Sequence, residues 1–186
     1  MIYVEKMEEF KPKCLYDLGY GLYVFEGRFQ GQTYMHIREC GEDKDGKKYP
    51  TKKGITLNLQ RWMELKCILP DIDQEVKKYQ SGEPHVYSQR HLGGNWMVTV
   101  KSGLPWVDIR QYWLPLDYEE VVPTKKGYCV SFEQFKELRQ AMIVASELVP
   151  EIDDTVPCYM EDDHNNQQGG LACLECNPSG YKNFMY

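Results

Sequence analysis

The sequence predicts an α+β chain of two tandem units, each a four-stranded antiparallel sheet followed by one helix. The first observation is an internal repeat: Ile37-Arg38 recurs as Ile109-Arg110, and Pro50-Thr51-Lys52-Lys53-Gly54 recurs intact as Pro123-Thr124-Lys125-Lys126-Gly127. The second lies downstream, where Trp62, Glu64, Leu65 and Lys66 align with Phe135, Glu137, Leu138 and Arg139 at an offset of 73. Leu69-Pro70-Asp71-Ile72-Asp73 then aligns with Val149-Pro150-Glu151-Ile152-Asp153 at 80. The jump inserts about two helical turns, so the buried helix face keeps its phase. A chain of 186 residues is long enough to bury a core in either one domain or two small ones.

Each unit reads as a meander of short strands and then a helix. Tyr23 to Gly27 and Thr33 to Glu39 have strand composition around a turn at Gly31, and Trp96 to Lys101 and Trp106 to Tyr112 repeat this around Gly103. The Pro-Thr-Lys-Lys-Gly segment reads as a turn into a further strand, Ile55 to Leu57 or Tyr128 to Val130. Helices open at Asn58 and at Ser131, where Ser131-Phe132-Glu133-Gln134 forms a capping-box pattern. Trp62, Leu65, Leu69, Ile72 and Val76 make one apolar stripe, and Phe135, Leu138, Met142, Ala145 and Val149 make the other. Pro70 and Pro150 are expected to bend or end the helices that precede them. The expected organisation is an extension at 1–14, a first unit at 15–79, a Gly- and Ser-containing linker at 80–94, a second unit at 95–153 and an acidic, cysteine-containing tail at 154–186.

An isolated unit leaves its helix stripe unpartnered, so Trp62, Leu65 and Leu69 are expected to pair with Phe135, Leu138 and Met142 within one chain. No apolar run approaches the roughly 18 residues of a membrane span. The first residues carry acids where a secretory signal would be basic and apolar. The seven cysteines, irregularly spaced, are therefore expected to be reduced. Net charge is −6, and seven acids against one base, Lys182, fall in 151–186, so residues 1–150 are neutral. Bulk charge gives no support to nucleic-acid binding, which must rest on where the bases lie. The four histidines, 36, 85, 91 and 164, stand in no nucleophile-and-acid arrangement, and no phosphate-cradling glycine loop occurs, so no enzyme is expected.

Strand alternation places Met35 and Ile37 on one face and Tyr34, His36 and Arg38 on the other, and in the second copy sets Val107 and Ile109 against Trp106, Asp108 and Arg110. An exposed strand face with a ring and an arginine suits a single strand, whose bases stack on aromatics and whose phosphates pair with cations. Arg28 beside Phe29, Lys101 and the repeated pairs Lys52-Lys53 and Lys125-Lys126 add a candidate basic rim.

The run Phe29-Gln30-Gly31, Ile37-Arg38-Glu39, Lys53-Gly54-Ile55-Thr56-Leu57-Asn58, Trp62, Leu65-Lys66 and Asp71-Ile72-Asp73 resembles the C-terminal domain of the positive cofactor four (PC4) family of transcriptional coactivators. The resemblance runs from Leu15 to Tyr79 and returns, more diverged, through Val107-Asp108-Ile109-Arg110-Gln111-Tyr112-Trp113, Lys125-Lys126-Gly127 and Glu137-Leu138. It implies curved four-stranded sheets that pair through their helices, here as a pseudo-dimer within one chain. It also implies grooves for single-stranded DNA or melted duplex, partners in the transcription machinery, and a nuclear or other intracellular site of transcription.

Carried over position by position, the family's stacking ring falls on Phe29 in the first copy and on the shortened Lys101-Ser102-Gly103 hairpin in the second. The strand arginine is kept as Arg38 and Arg110. The second stacking ring falls on Gly41, and so is lost, but is kept as Trp113. Two hairpin lysines fall on Gln30 and Gln32, while the basic pair is kept in both copies. The alternative is a protein-interaction scaffold that has lost the nucleic-acid site. No cofactor is expected, except that Cys173-Leu174-Glu175-Cys176 with Cys158 and His164 could supply a tetrahedral zinc set. The default for this tail is disorder or docking on a partner.

Overall fold

The computed structural model of the protein describes residues 10–164 and 167–179; residues 1–9 of the extension and 165–166 and 180–186 of the tail lie outside the described residues. Strands β1 (Leu15–Gly19), β2 (Leu22–Phe29), β3 (Gln32–Glu42) and β4 (Lys48–Asn58) form one antiparallel sheet in chain order, followed by α1 (Leu59–Gln80). Strands β5 (Tyr87–Gly93), β6 (Trp96–Lys101), β7 (Trp106–Trp113) and β8 (Val122–Ser131) form the second, followed by α2 (Phe132–Leu148). Three short 3-10 turns, Pro150–Ile152, Cys158–Met160 and Asp162–His164, lead to α3 (Gln167–Ala172). This is the α+β tandem that the repeat predicts.

Local sequence explains the helix starts. Asn58 caps α1 by accepting from the Arg61 amide at 2.9 Å, and Ser131 and Gln134 close the capping box on α2. Gln134 also reaches into the first unit, its Nε2 donating to the Gly19 carbonyl at 3.0 Å. In the β2–β3 hairpin Gln30 and Gly31 both have positive φ, 51° and 78°. That is the two-residue turn whose twist matches paired strands.

Three expectations need correction. Strand β5 lies inside the segment 80–94 that reads as linker, so the connection shrinks to residues 81–86. Its buried side chains are Ser88 and Leu92 with exposed Arg90 between them, so apolar alternation never shows. Pro70 does not end its helix: its ring sits on the exposed side of α1, and the buried stripe resumes at Ile72 and Val76. On the solvent side, the carbonyl that loses its amide partner can turn to water. Pro150, by contrast, follows the end of α2 and opens a 3-10 turn. The tail from 154 onward is neither shapeless nor loose where described, because it folds into short turns docked on α1 and on the turn between β5 and β6.

The helix stripes meet in one hydrophobic core that runs through both units. Trp62, Leu65, Leu69, Phe135, Leu138 and Met142 are all buried in it, with Val24, Met35, Ile37, Val98, Val107 and Ile109 from the sheets. The helices touch, but each packs more extensively on the other unit's first two strands: α1 on β5 and β6, α2 on β1 and β2. The repeat also makes one ion pair twice. Lys66 reaches Asp153 at 3.3 Å, and the equivalent Arg139 pairs with the equivalent Asp73. A contact that recurs with partners exchanged is the mark of a two-fold interface. These pairs are half-exposed and add little energy, so their effect is to fix register.

Candidate nucleic-acid interface

The repeated Pro-Thr-Lys-Lys-Gly segment is not a turn but a bulge in the middle of β4 and of β8. Arg38 pairs with Gly54 and Cys40 with Pro50, so Thr51, Lys52 and Lys53 together oppose the single residue Glu39. Arg110 pairs with Gly127 and Tyr112 with Pro123, which sets Thr124, Lys125 and Lys126 against Gln111. Extra residues on one strand bend it and re-aim its side chains.

Both bulges are held alike. The threonine Oγ1 accepts from the amide of the second lysine, at 3.2 Å for Thr51–Lys53 and 3.0 Å for Thr124–Lys126. The strand arginine donates from NH1 to the threonine carbonyl, at 2.9 Å from Arg38 and 3.0 Å from Arg110. Gly54 has φ +140°, and a Cβ there would strike the Ile37 carbonyl and the Arg38 backbone. Gly54→Ala is therefore expected to cost about 1–3 kcal/mol in strain. It should also misplace Lys52 and Lys53, which thermal melts together with binding titrations will read.

The two bulges face each other where β4 meets β8, across a groove of about 560 Å³. Arg38, Lys52, Lys53, Lys125 and Lys126 line it, with Thr56, Trp96 and Tyr128. Lys52, Lys125 and Lys126 have no acidic partner among the described residues. Glu39 is the acid at the rim, 3.3 Å from Lys53 and accepting from the Tyr128 hydroxyl at 2.9 Å. Burial and then that hydrogen bond push the Tyr128 phenol up to about 12. A chain that is acidic overall thus concentrates positive charge from both units in one place. The sequence reading missed Trp96, Tyr128 and Glu39, which reach this groove only when the two sheets are set side by side.

The two strand arginines are not equivalent. Arg110 is gripped by Asp108, Nε to Oδ2 and NH2 to Oδ1 both at 2.9 Å, and this bond raises its pKa. The first unit has His36 at the position of Asp108, so among the described residues Arg38 donates to neutral groups, the Thr51 carbonyl and Thr56 Oγ1 at 3.1 Å. Burial, then the charge of Arg38, pushes His36 down to about 4, so its ring is neutral at pH 7. His36 stacks on Phe25 at 4.8 Å, and Phe10 of the N-terminal extension meets the same Phe25 edge-on at 4.9 Å. The positive field of the strand face is therefore carried by Arg38, while Asp108 neutralises Arg110.

The remaining predicted residues do not line the groove. Phe29 is 65% exposed at a hairpin tip and Trp113 54% exposed at the end of β7. Tyr34 and Trp106 are half-buried, with the Tyr34 hydroxyl donating to Gln32 at 2.9 Å, and Lys101 is exposed at the end of β6. Strand parity turns Arg28 away from Phe29, and it pairs with Glu151 of the second unit at 2.6 Å. That engagement removes Arg28 from the basic rim. At Gly41, where the sequence lacks an aromatic, a ring from the neighbouring strand lies over the backbone. Tyr49 pairs with Gly41, and a Cβ on Gly41 would lie 2.5 Å from its ring. Cys158, His164, Cys173 and Cys176 come together in the tail and contribute nothing to this groove.

A family model described as Transcriptional Coactivator p15 (PC4) matches residues 22–68 and 91–141, together more than half of the chain. A Caenorhabditis elegans protein named as a putative RNA polymerase II transcriptional coactivator is 36% identical over 62 residues, 33% of this chain and 50% of its own length. The RNA polymerase II transcriptional coactivator KELP of Arabidopsis thaliana is 43% identical over 53 residues, 28% of this chain and 32% of its own. The chain thus spans half or less of each of these relatives. With one match on each of its two sheets, it belongs to the Transcriptional Coactivator p15 (PC4) family and carries the family's domain twice.

Proposed function

We propose that this protein is a non-enzymatic transcriptional coactivator that binds single-stranded DNA, or the exposed strands of a melted duplex, in the groove between its lysine bulges. Its site of action on this reading is the nucleus or another site of transcription, with proteins of the transcription machinery as partners. The observation that carries the reading is the convergence of five cations from both units on one groove of about 560 Å³. Phosphates would pair with the bulge lysines and Arg38, and unstacked bases would be free to lie on exposed rings such as Phe29, Tyr49 and Trp113.

Fluorescence anisotropy with oligo-dT and with duplex of the same length, over a range of salt, tests this. The single strand should bind more tightly. With four to six phosphate contacts at about −0.7 each, the log–log salt slope should be about −3 to −4. A salt-independent affinity would sink the groove and favour the scaffold reading.

Phe29→Ala and Trp113→Ala should each weaken oligo-dT binding by about 1–3 kcal/mol, roughly five- to 150-fold. Arg38→Ala should weaken binding and flatten its salt dependence. Arg110→Ala should do so less, because Asp108 already neutralises that guanidinium. Equal effects of the two arginine variants on the salt slope would overturn the asymmetry.

A further inference from the structure

We propose that Cys158, His164, Cys173 and Cys176 bind one zinc ion, a structural site that fastens the tail across both units. The four residues come from the second 3-10 turn, the third, and the loop after α3, yet their ligand atoms all lie within 4.8 Å of one another. A tetrahedral site with zinc–sulfur bonds of about 2.3 Å sets its sulfurs about 3.8 Å apart, so small side-chain shifts suffice. Cys158 Sγ already lies 3.2 Å from Cys176 Sγ.

The histidine points independently to a ligand. Its side chain is only 7% exposed, and its Nε2 is buried without a hydrogen-bond partner among the described residues. An orphaned buried nitrogen is costly unless something binds it. The Asp163 carboxylate holds His164 Nδ1 at 2.7 Å, which leaves Nε2 as the ring's ligand atom beside the sulfurs. Carboxylate–histidine–metal is the usual outer-shell arrangement for a ligating imidazole. The amide of Cys176 donates to Cys173 Sγ at 3.5 Å, a turn that orients both sulfurs of the C-x2-C pair inward. A backbone clash prepares the approach too: a Cβ on Gly169 would collide with the Asp163 carbonyl, so only glycine lets α3 lie against the turn that carries His164.

Three thiolates and one imidazole leave no open coordination position, so the site is structural rather than catalytic, and this soft donor set favours zinc. Its consequence is read from Glu175, which sits between the paired cysteines. Glu175 receives both Nε and NH2 of Arg61, at 2.8 and 2.7 Å, at the start of α1, and its carbonyl accepts from the Gly94 amide of the second unit at 2.9 Å. Zinc would lock the loop that presents this residue. The tail then becomes a strap over the α1–β5 seam, the place where one unit's helix lies on the other unit's sheet.

The test uses the full chain, purified with a non-thiol reductant and given zinc alone, then cobalt(II) alone. Elemental analysis should find about one zinc per chain. Cobalt should give the visible bands of a tetrahedral site with a sulfur-to-cobalt charge-transfer band. Cys173→Ser with Cys176→Ser should abolish both signals and expose the tail to protease while circular dichroism of the sheets persists. Cys67→Ser, an exposed cysteine outside the set, should keep both. A folded, reduced chain that takes up no zinc and leaves cobalt octahedral would overturn the site. So would undiminished metal in the double variant, or a Cys158–Cys176 disulfide that persists under reductant with zinc present.

Discussion

Replacing Trp62 by alanine is expected to cost about 3–5 kcal/mol of folding free energy and to melt both sheets in a single transition. Trp62 is fully buried in the core cluster, which holds side chains of both units. Because α1 packs on β5 and β6 while α2 packs on β1 and β2, a cavity under α1 undermines the second sheet as directly as the first. Phe135→Ala, at the equivalent place on α2, should behave alike. Trp62→Phe separates packing from polarity. The indole Nε1 is buried without a hydrogen-bond partner among the described residues, so phenylalanine removes an orphaned donor along with part of the ring. Its net cost should stay within about 1–2 kcal/mol. Calorimetry of the three variants checks this, and two separate transitions in Trp62→Ala would overturn the reciprocal packing.

Changing Lys52, Lys53, Lys125 and Lys126 together to alanine is expected to lower affinity for oligo-dT by two to three orders of magnitude at about 0.1 M salt. Removing four phosphate-pairing cations at about 0.7 each takes about 2.8 from the log–log slope, and at about 0.1 M salt that slope translates into about 600-fold. All four side chains are exposed or half-exposed, so melting should change little. The matching variant with four arginines keeps the charge and should retain the slope. Affinity within twofold of the parent in the alanine variant would show that the lysine bulges are not the site.

What the sequence reveals about this chain is whatever is local or repeated. The capping box at Ser131 is legible because both partners lie within one turn, and the helix stripes are legible because burial recurs every three or four residues. Strand β5 is hidden, since Ser88 stands at a buried position where an apolar residue would have marked the alternation. The repeated Pro-Thr-Lys-Lys-Gly is conspicuous as a motif, but its nature as a bulge depends on cross-strand register with Arg38 and Arg110. The ring beside Gly41 cannot be found by scanning that strand, because Tyr49 reaches over from its neighbour.

Local chemistry is enough to specify the α+β tandem, the two caps, the amphipathic faces and the residue types available for chemistry. Each follows from interactions within a few residues, or from duplication that copies them. Only the assembled fold places each helix on the other unit's sheet and makes Lys66–Asp153 and Arg139–Asp73 one contact formed twice. It likewise turns Arg28 to Glu151, sets the lysine bulges of both units on one groove, and brings Cys158, His164, Cys173 and Cys176 together from separate turns. Ion pairing between the units, groove formation and the gathering of the tail cysteines with His164 depend on distances between groups far apart in the chain, and those distances exist only once the two units have buried their shared apolar faces.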